Sequence, residues 1–353
     1  MNAHVDNIRT FLDEHELDAL LIKSKTMKRY LGTLTGSGCK VLITRDRGFL
    51  IMDGRYVNEA QGREFDLEFR VHEQGKSYLV ELERALKECG CATVGIEESE
   101  ISISEYRNLE GLGFGTTLLG SEMALMRLRK DEAEIAAVQH AVDVADDVYA
   151  KVIEQLHVDM TEFEISALVH YYSIAAGAEA MSFDTIVATG ERSAMPHGRP
   201  TDRRVQAHEP ILIDFGVQIN GYQSDMTRVC FLGAPTDRMA HVYETVLNAH
   251  LAGIDTIRCG VVARDVDAAA RRVINEAGYG EYFTHGIGMG GDLPLLNPSG
   301  EIVLDNGMIM SCEPGVYIPG VGGVRIEDDV LLKDGVACPL NHTDKQLRIL
   351  NVR

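Results

Sequence analysis

A chain of 353 residues, 45% apolar and 25% charged, has the composition of an ordinary globular protein and enough length for two buried cores. Its 54 acidic against 34 basic residues leave a formal charge of -20, which repels phosphate backbones and anionic lipid and so argues against nucleic-acid or membrane partners, while attracting divalent cations. Seven scattered cysteines without a CxxC pair, and a polar start (MNAHVDNIRTFLDEHELD) with no apolar signal core, predict a soluble protein of a reducing, cytoplasmic compartment.

In chain order, LDALLI (17–22), KVLIT (40–44), GFLIM (48–52) and ATVGI (92–96) are short apolar runs that read as strands, and SYLVELERALKEC (77–89) reads as a helix among them. The alternation predicts an α/β domain over 1–123. The charged segment RLRKDEAEI (127–135) marks the entry to a second domain, 124–353, whose first helix spans about 131–156; there Ile135, Val138, Val142, Ala145, Tyr149, Val152 and Leu156 recur at helical spacing. A helix over about 161–176 opens on the capping box Thr161–Glu164 and leads to a strand-rich stretch ending near 232. The order then repeats, with helices over about 238–256 and 262–277 before strands from about 302 to 337. Helix, helix, ribbon, twice over, predicts an α+β domain with an internal pseudo-duplication.

The first ribbon is PILIDFGVQINGYQSDMTRVCFL (210–232), and its Asn220-Gly221 pair is a strong signal for a two-residue hairpin turn, since both positions need positive φ. Such a turn sets Asp214 opposite Thr227 and Asp225 opposite Gly216, so the two aspartates share a face as diagonal neighbours. The glycine opposite Asp225 leaves room above it. The second ribbon, MIMSCEPGVYIPGVGGVRIEDDVLL (308–332), carries Glu313 and Glu327 in two apolar strands joined through a Gly/Pro-rich loop. Acids in apolar strands are costly to bury unpaired, and a divalent cation between them removes that cost. If the two halves pack face to face the four acids converge on an oxygen-rich site, suited to Mn²⁺ before Zn²⁺ and large enough for two ions. The plain structural alternative is that Arg228 and Arg325 each neutralise a neighbouring acid.

At this point PHGRP (196–200), LIDFG (212–216), SDMTR (224–228), CEPGVYIPG (312–320) and GGVRIEDD (322–329) resemble the creatinase/prolidase/methionine-aminopeptidase family, and within it most resemble Xaa-Pro dipeptidases and aminopeptidases P. The TGSGCKVLIT and DGRY segments extend the likeness over nearly the whole chain. The resemblance implies a creatinase-like N-terminal domain, a "pita-bread" catalytic domain, a homodimer, and two divalent ions, Mn²⁺ first with Co, Fe or Zn possible. Its ligands would be Asp214, Asp225, Glu313, Glu327 and one histidine. It also implies that His197 contacts substrate or the tetrahedral intermediate, that Glu313 carries protons, and that Arg325 supports the ligands or substrate.

FTHGIGMGGDLP (283–294) holds one histidine, His285, where the family motif carries three. Aligned from the left, His285 is the accessory histidine and Met289 falls at the ligand position. Aligned on HGIGM (285–289), His285 is the ligand and Asp292 stands where the third histidine belongs. A thioether is a poor partner for a carboxylate-rich site, which favours the second alignment. The expected activity is hydrolysis of Xaa-Pro bonds in small peptides by a dinuclear centre. Because the loop over 285–298 is altered, two alternatives stand beside it: hydrolysis of a non-peptide amide or amidine on the same fold, and a catalytically impaired peptide-binding homologue.

Overall fold

The computed structural model describes residues 3–288 and 296–353; Met289 and Asp292, each weighed above, lie outside the described residues. The chain divides into two compact units, Met1–Arg127 and Leu128–Arg353. In the first, six strands lie side by side in the order Glu68–Val71, Gly48–Met52, Lys40–Thr44, Ala19–Ile22, Thr93–Glu97, Gly115–Leu119. The inner four are those read from the sequence, and their alternation decides the packing. Leu20, Ile22, Val41 and Ile43 enter the core on one face of the sheet, and Ala19, Leu21 and Leu42 the core on the other. The two strands missed are the edges. Glu68–Val71 is almost wholly exposed and Gly115–Leu119 buries only Leu119, so neither carries the apolar run that marks an inner strand.

The second unit shows the repeated order. Helices Glu132–Ile153 and Glu162–Ala175 each start on a full capping box, Asp131 with Glu134 and Thr161 with Glu164. They pack on one face of the strands Pro210–Phe215 and Met226–Leu232, where Ile211, Ile213, Phe215, Met226 and Cys230 point. Helices Asp237–Thr256 and Ala263–Glu276 serve the second half, and their core includes Met310, Cys312, Val316, Val324 and Val330. Leu212, Val229 and Phe231 project into that same second core. The first ribbon is therefore buried on both faces, and residues of the parity of 212 and 229, which include Asp214 and Thr227, face the other half.

Register follows the hairpin count. Asn220 and Gly221 both have positive φ, 49° and 84°, and Asp214 pairs with Thr227. The ladder breaks beside Asp225: the strands Val217–Ile219 and Tyr222–Gln223 belong to a separate sheet, and the space at Gly216 is taken by the Ser224 carbonyl, 1.7 Å from where a Cβ would sit. The glycine thus admits backbone rather than leaving room above Asp225. The second ribbon breaks in the same manner. Cys312 pairs with Asp328 in one ladder and Gly315 with Arg325 in the next, and this common register sets Glu313 opposite Glu327 in the gap between them. A bridge from Thr227 to Glu327 joins the ribbons. Among the described residues no helix is long and apolar enough to cross a membrane.

Candidate metal centre

One cross-strand row, Asp214–Thr227–Glu327–Glu313, runs through both halves, and Asp225, Glu313 and Glu327 sit at ladder breaks where side chains can converge. Asp214, Asp225 and Glu327 each place a carboxylate oxygen within 4.8 Å of the others'. Glu313 and His285 stand outside that tight group but line the same cavity, about 550 Å³, together with His197, Arg325, Phe183 and Ile186. Asp214 and Glu327 are 5% and 1% exposed, so their charges lie in a poorly hydrated interior.

Among the described residues, one buried arginine faces these acids. Arg325, 3% exposed, donates from one nitrogen to Asp214, from Nε to Thr227 Oγ1 (2.9 Å), and from the third to the Tyr317 hydroxyl oxygen (2.7 Å) and the Pro196 carbonyl (3.2 Å). The Thr227 hydroxyl in turn donates a hydrogen bond to Glu327 Oε2 (2.6 Å). Of the two arginines weighed as neutralising partners, Arg325 therefore does pair with a site acid. Arg228 does not: it donates to Asp328 (2.7 Å) and to the backbone carbonyls of Thr227 and Glu327, which holds the two halves together beneath the row. Lys345 and His250 complete the setting of Asp328, and His250 also meets the Cys312 carbonyl at 3.0 Å. Burial alone would raise Asp328, but these three partners hold its carboxyl well below the usual range. His250 is fully buried.

The other acids are under-compensated. Burial raises Asp214, with Arg325 opposing. Burial and the charges of Asp214, Asp329 and Glu313 push Asp225 well above its ordinary value, and burial with Asp225 and Glu313 does the same to Glu327. Glu313 is pushed up to about 7 and Asp329 to about 8, burial being the main cause in both. Asp329 accepts the backbone N–H of Asp225 at 2.8 Å, an acid the motif reading passed over.

One oxygen of each carboxylate in the tight group, Asp214 Oδ1, Asp225 Oδ1 and Glu327 Oε1, is buried with no hydrogen-bond partner. Three orphan acceptors converging in a cavity are what a divalent cation satisfies, and the residues present fit one. Without a cation the linkage sign is plain. Acids raised in the folded state favour folding at low pH, and that contribution is lost as pH climbs from their unfolded values near 4 through about 7 for Glu313 and about 8 for Asp329. Cation-free protein is expected to lose about 1.4 kcal/mol per pH unit for each proton so held, across that window. Saturating divalent ion should flatten the slope, and melting curves between pH 4.5 and 8 with and without chelator check it. Asp328, depressed instead, acts only below this window.

His285 sits at the cavity wall with Nδ1 at 2.6 Å from the Gly286 carbonyl and Nε2 at 2.9 Å from the Tyr317 hydroxyl. Burial pushes its pKa down to about 4, so the ring is neutral. His197 is exposed where it meets the cavity, on the segment that Arg325 holds through Pro196. Thr227 and Tyr317 were invisible to motif reading, although the hairpin count already placed Thr227 opposite Asp214. Cys312 is a buried thiol with its pKa driven up by burial, consistent with packing.

This carboxylate cluster fits a divalent cation, and comparison with known proteins gives the family. Residues 4–130 match the creatinase/prolidase N-terminal domain and residues 136–334 match metallopeptidase family M24, so the chain belongs to that family and is a peptidase with the pita-bread catalytic architecture. It is 33% identical to an Xaa-Pro dipeptidase of Pyrococcus horikoshii, over 98% of this chain and 99% of the relative. A solved Xaa-Pro dipeptidase of Bacillus anthracis superposes with a TM-score of 0.94 at 33% identity, covering 99% of each chain. An X-Pro aminopeptidase of Thermotoga maritima superposes at 0.88, also 33% identical, covering 95% of this chain and 98% of its own.

Proposed function

We propose that this chain hydrolyses the Xaa-Pro bond of small peptides with a free N-terminus, using divalent cation held by Asp214, Asp225, Glu313 and Glu327. The observation that carries the reading is the convergence of three unpartnered buried carboxylate oxygens in a cavity large enough for a dipeptide. Relatives named for Xaa-Pro cleavage, matched over nearly the full length, support the substrate class. A cation held there supplies Lewis acidity and acidifies water. Two ions, Mn²⁺ foremost, a homodimer and a cytoplasmic setting complete the proposal.

The remaining chemistry belongs to the side chains. Glu313, raised to about 7, lines the cavity beside the cluster and is poised to take a proton from the attacking water and deliver it to the leaving nitrogen. Asp225 has an unpaired oxygen that can also meet the substrate's ammonium. His197 lines the same cavity and supports the oxyanion. Phe183 and Ile186 line the same cavity and give the proline ring an apolar seat.

The test is turnover of a panel of Xaa-Pro dipeptides, longer Xaa-Pro peptides and non-peptide amides after Mn²⁺ reconstitution. Xaa-Pro turnover supports the proposal, turnover of the amides alone moves the substrate class, and no turnover with tight peptide binding marks an impaired homologue. In the active enzyme, His197→Ala is expected to lower kcat by about 10²- to 10³-fold, the scale of one lost oxyanion donor, with ion content unchanged.

A further inference from the structure

The two alignments of the histidine segment make different demands on His285, and its hydrogen bonds distinguish them. Nδ1–H donates to the Gly286 carbonyl, the Nε2 lone pair accepts the Tyr317 hydroxyl proton, and the Tyr317 oxygen accepts an Arg325 N–H at 2.7 Å. Donors and acceptors alternate without conflict along this chain, which ends where Arg325 grips Asp214. Both ring nitrogens are thus used, and neither belongs to the cluster of oxygens that close within 4.8 Å. To ligate a cation at that cluster His285 would have to release Tyr317, whose hydroxyl lies in a buried pocket. The other histidine lining the cavity, His197, is also outside the cluster. By sequence, MGGDLPL (289–295) contains neither histidine nor cysteine.

We infer that the centre is a histidine-free, all-carboxylate cation site, and that His285 is a positioning residue which holds Tyr317, and through it Arg325, against Asp214. The inference rests on the reading that these carboxylates hold a divalent ion. An oxygen-only donor set selects a hard ion of the Mn²⁺ or Mg²⁺ kind and gives up the imidazole that suits Zn²⁺. His285 then acts on the centre only through the guanidinium that neutralises Asp214. Its loss should loosen the centre without emptying it.

The experiment is Mn²⁺ titration of the full-length chain by electron paramagnetic resonance, with pulsed measurement of nitrogen coupling to the bound ion, on wild type, His285→Gln and Tyr317→Phe. Expected is bound Mn²⁺ with no directly ligated imidazole nitrogen. Each variant should then keep wild-type stoichiometry, with affinity reduced by about 10- to 100-fold, the scale of losing a group that orients a ligand. An imidazole coupling in wild type that disappears in His285→Gln overturns the inference and leaves the metallopeptidase reading intact. A coupling that persists in that variant overturns it too, and points to His197. No bound Mn²⁺ in wild type sinks both readings. The wild-type spectrum decides the donor set even if a variant fails to fold.

Discussion

Asp225→Asn is expected to make the cation-free protein more stable and the enzyme nearly inactive. Asp225 is crowded by the charges of Asp214, Asp329 and Glu313, and one of its oxygens has no partner. An amide removes the repulsion while the backbone N–H bond to Asp329 stays in place. The gain should be about 1–2 kcal/mol in chemical denaturation of chelator-treated protein at pH 7.5. The same change removes a proposed ligand. Since losing a mere supporter of a ligand reduces metal affinity by about 10- to 100-fold, losing the ligand should lower activity by at least that. Opposite signs for stability and function distinguish a site from a structural ion pair. If Asp225→Asn destabilised the cation-free chain, the carboxylate would have to be engaged in holding the fold.

The second large effect concerns the two buried arginines. Arg325→Met removes the partner of Asp214 and should destabilise cation-free protein by about 3–5 kcal/mol, the usual result of leaving a buried charge alone. A bound cation supplies compensating charge to the same carboxylate, so the loss measured in saturating Mn²⁺ should be markedly smaller. Arg228→Met breaks the contact with Asp328 and the carbonyls of Thr227 and Glu327, away from the orphan oxygens. Its penalty should be similar in size and nearly independent of the ion. Denaturation of both variants with and without Mn²⁺ checks the pair. Equal ion dependence would mean that Arg325 has no special relation to the centre.

What could be read in advance was whatever is encoded locally. Asn220-Gly221 determines a register, and counting outward from it places Asp214 against Thr227, as the strands pair. Thr161–Glu164 marks a helix start because the cap lies within one turn. No such count was open for Glu313 and Glu327, since the loop between their strands is Pro- and Gly-rich and its pairing depends on how Gly323 packs against Ser193, 130 residues away. Tyr317 and Arg325 share one hairpin, but His285 joins them from a separate segment 32 residues before Tyr317, and no spacing rule reports that meeting. The loop histidine is open to sequence reading for the same reason: two alignments differ by a short gap, and neighbours in sequence do not choose between them. The edge strands of the first unit escaped because exposed strands lack the pattern that makes inner ones readable.

The row that runs Asp214, Thr227, Glu327, Glu313 has a thermodynamic corollary. The proposed ligands divide between the halves, Asp214 and Asp225 in one and Glu313 and Glu327 in the other, so neither half alone carries the full set. A bound ion therefore acts as a staple between the repeats, and opening either one dissolves the site. Ligand free energy should then be felt by every amide whose exchange requires the halves to part, and hardly at all by fraying helix ends. In exchange experiments the ion would lift protection as a block spanning both repeats, turning two related modules into one cooperative folding unit.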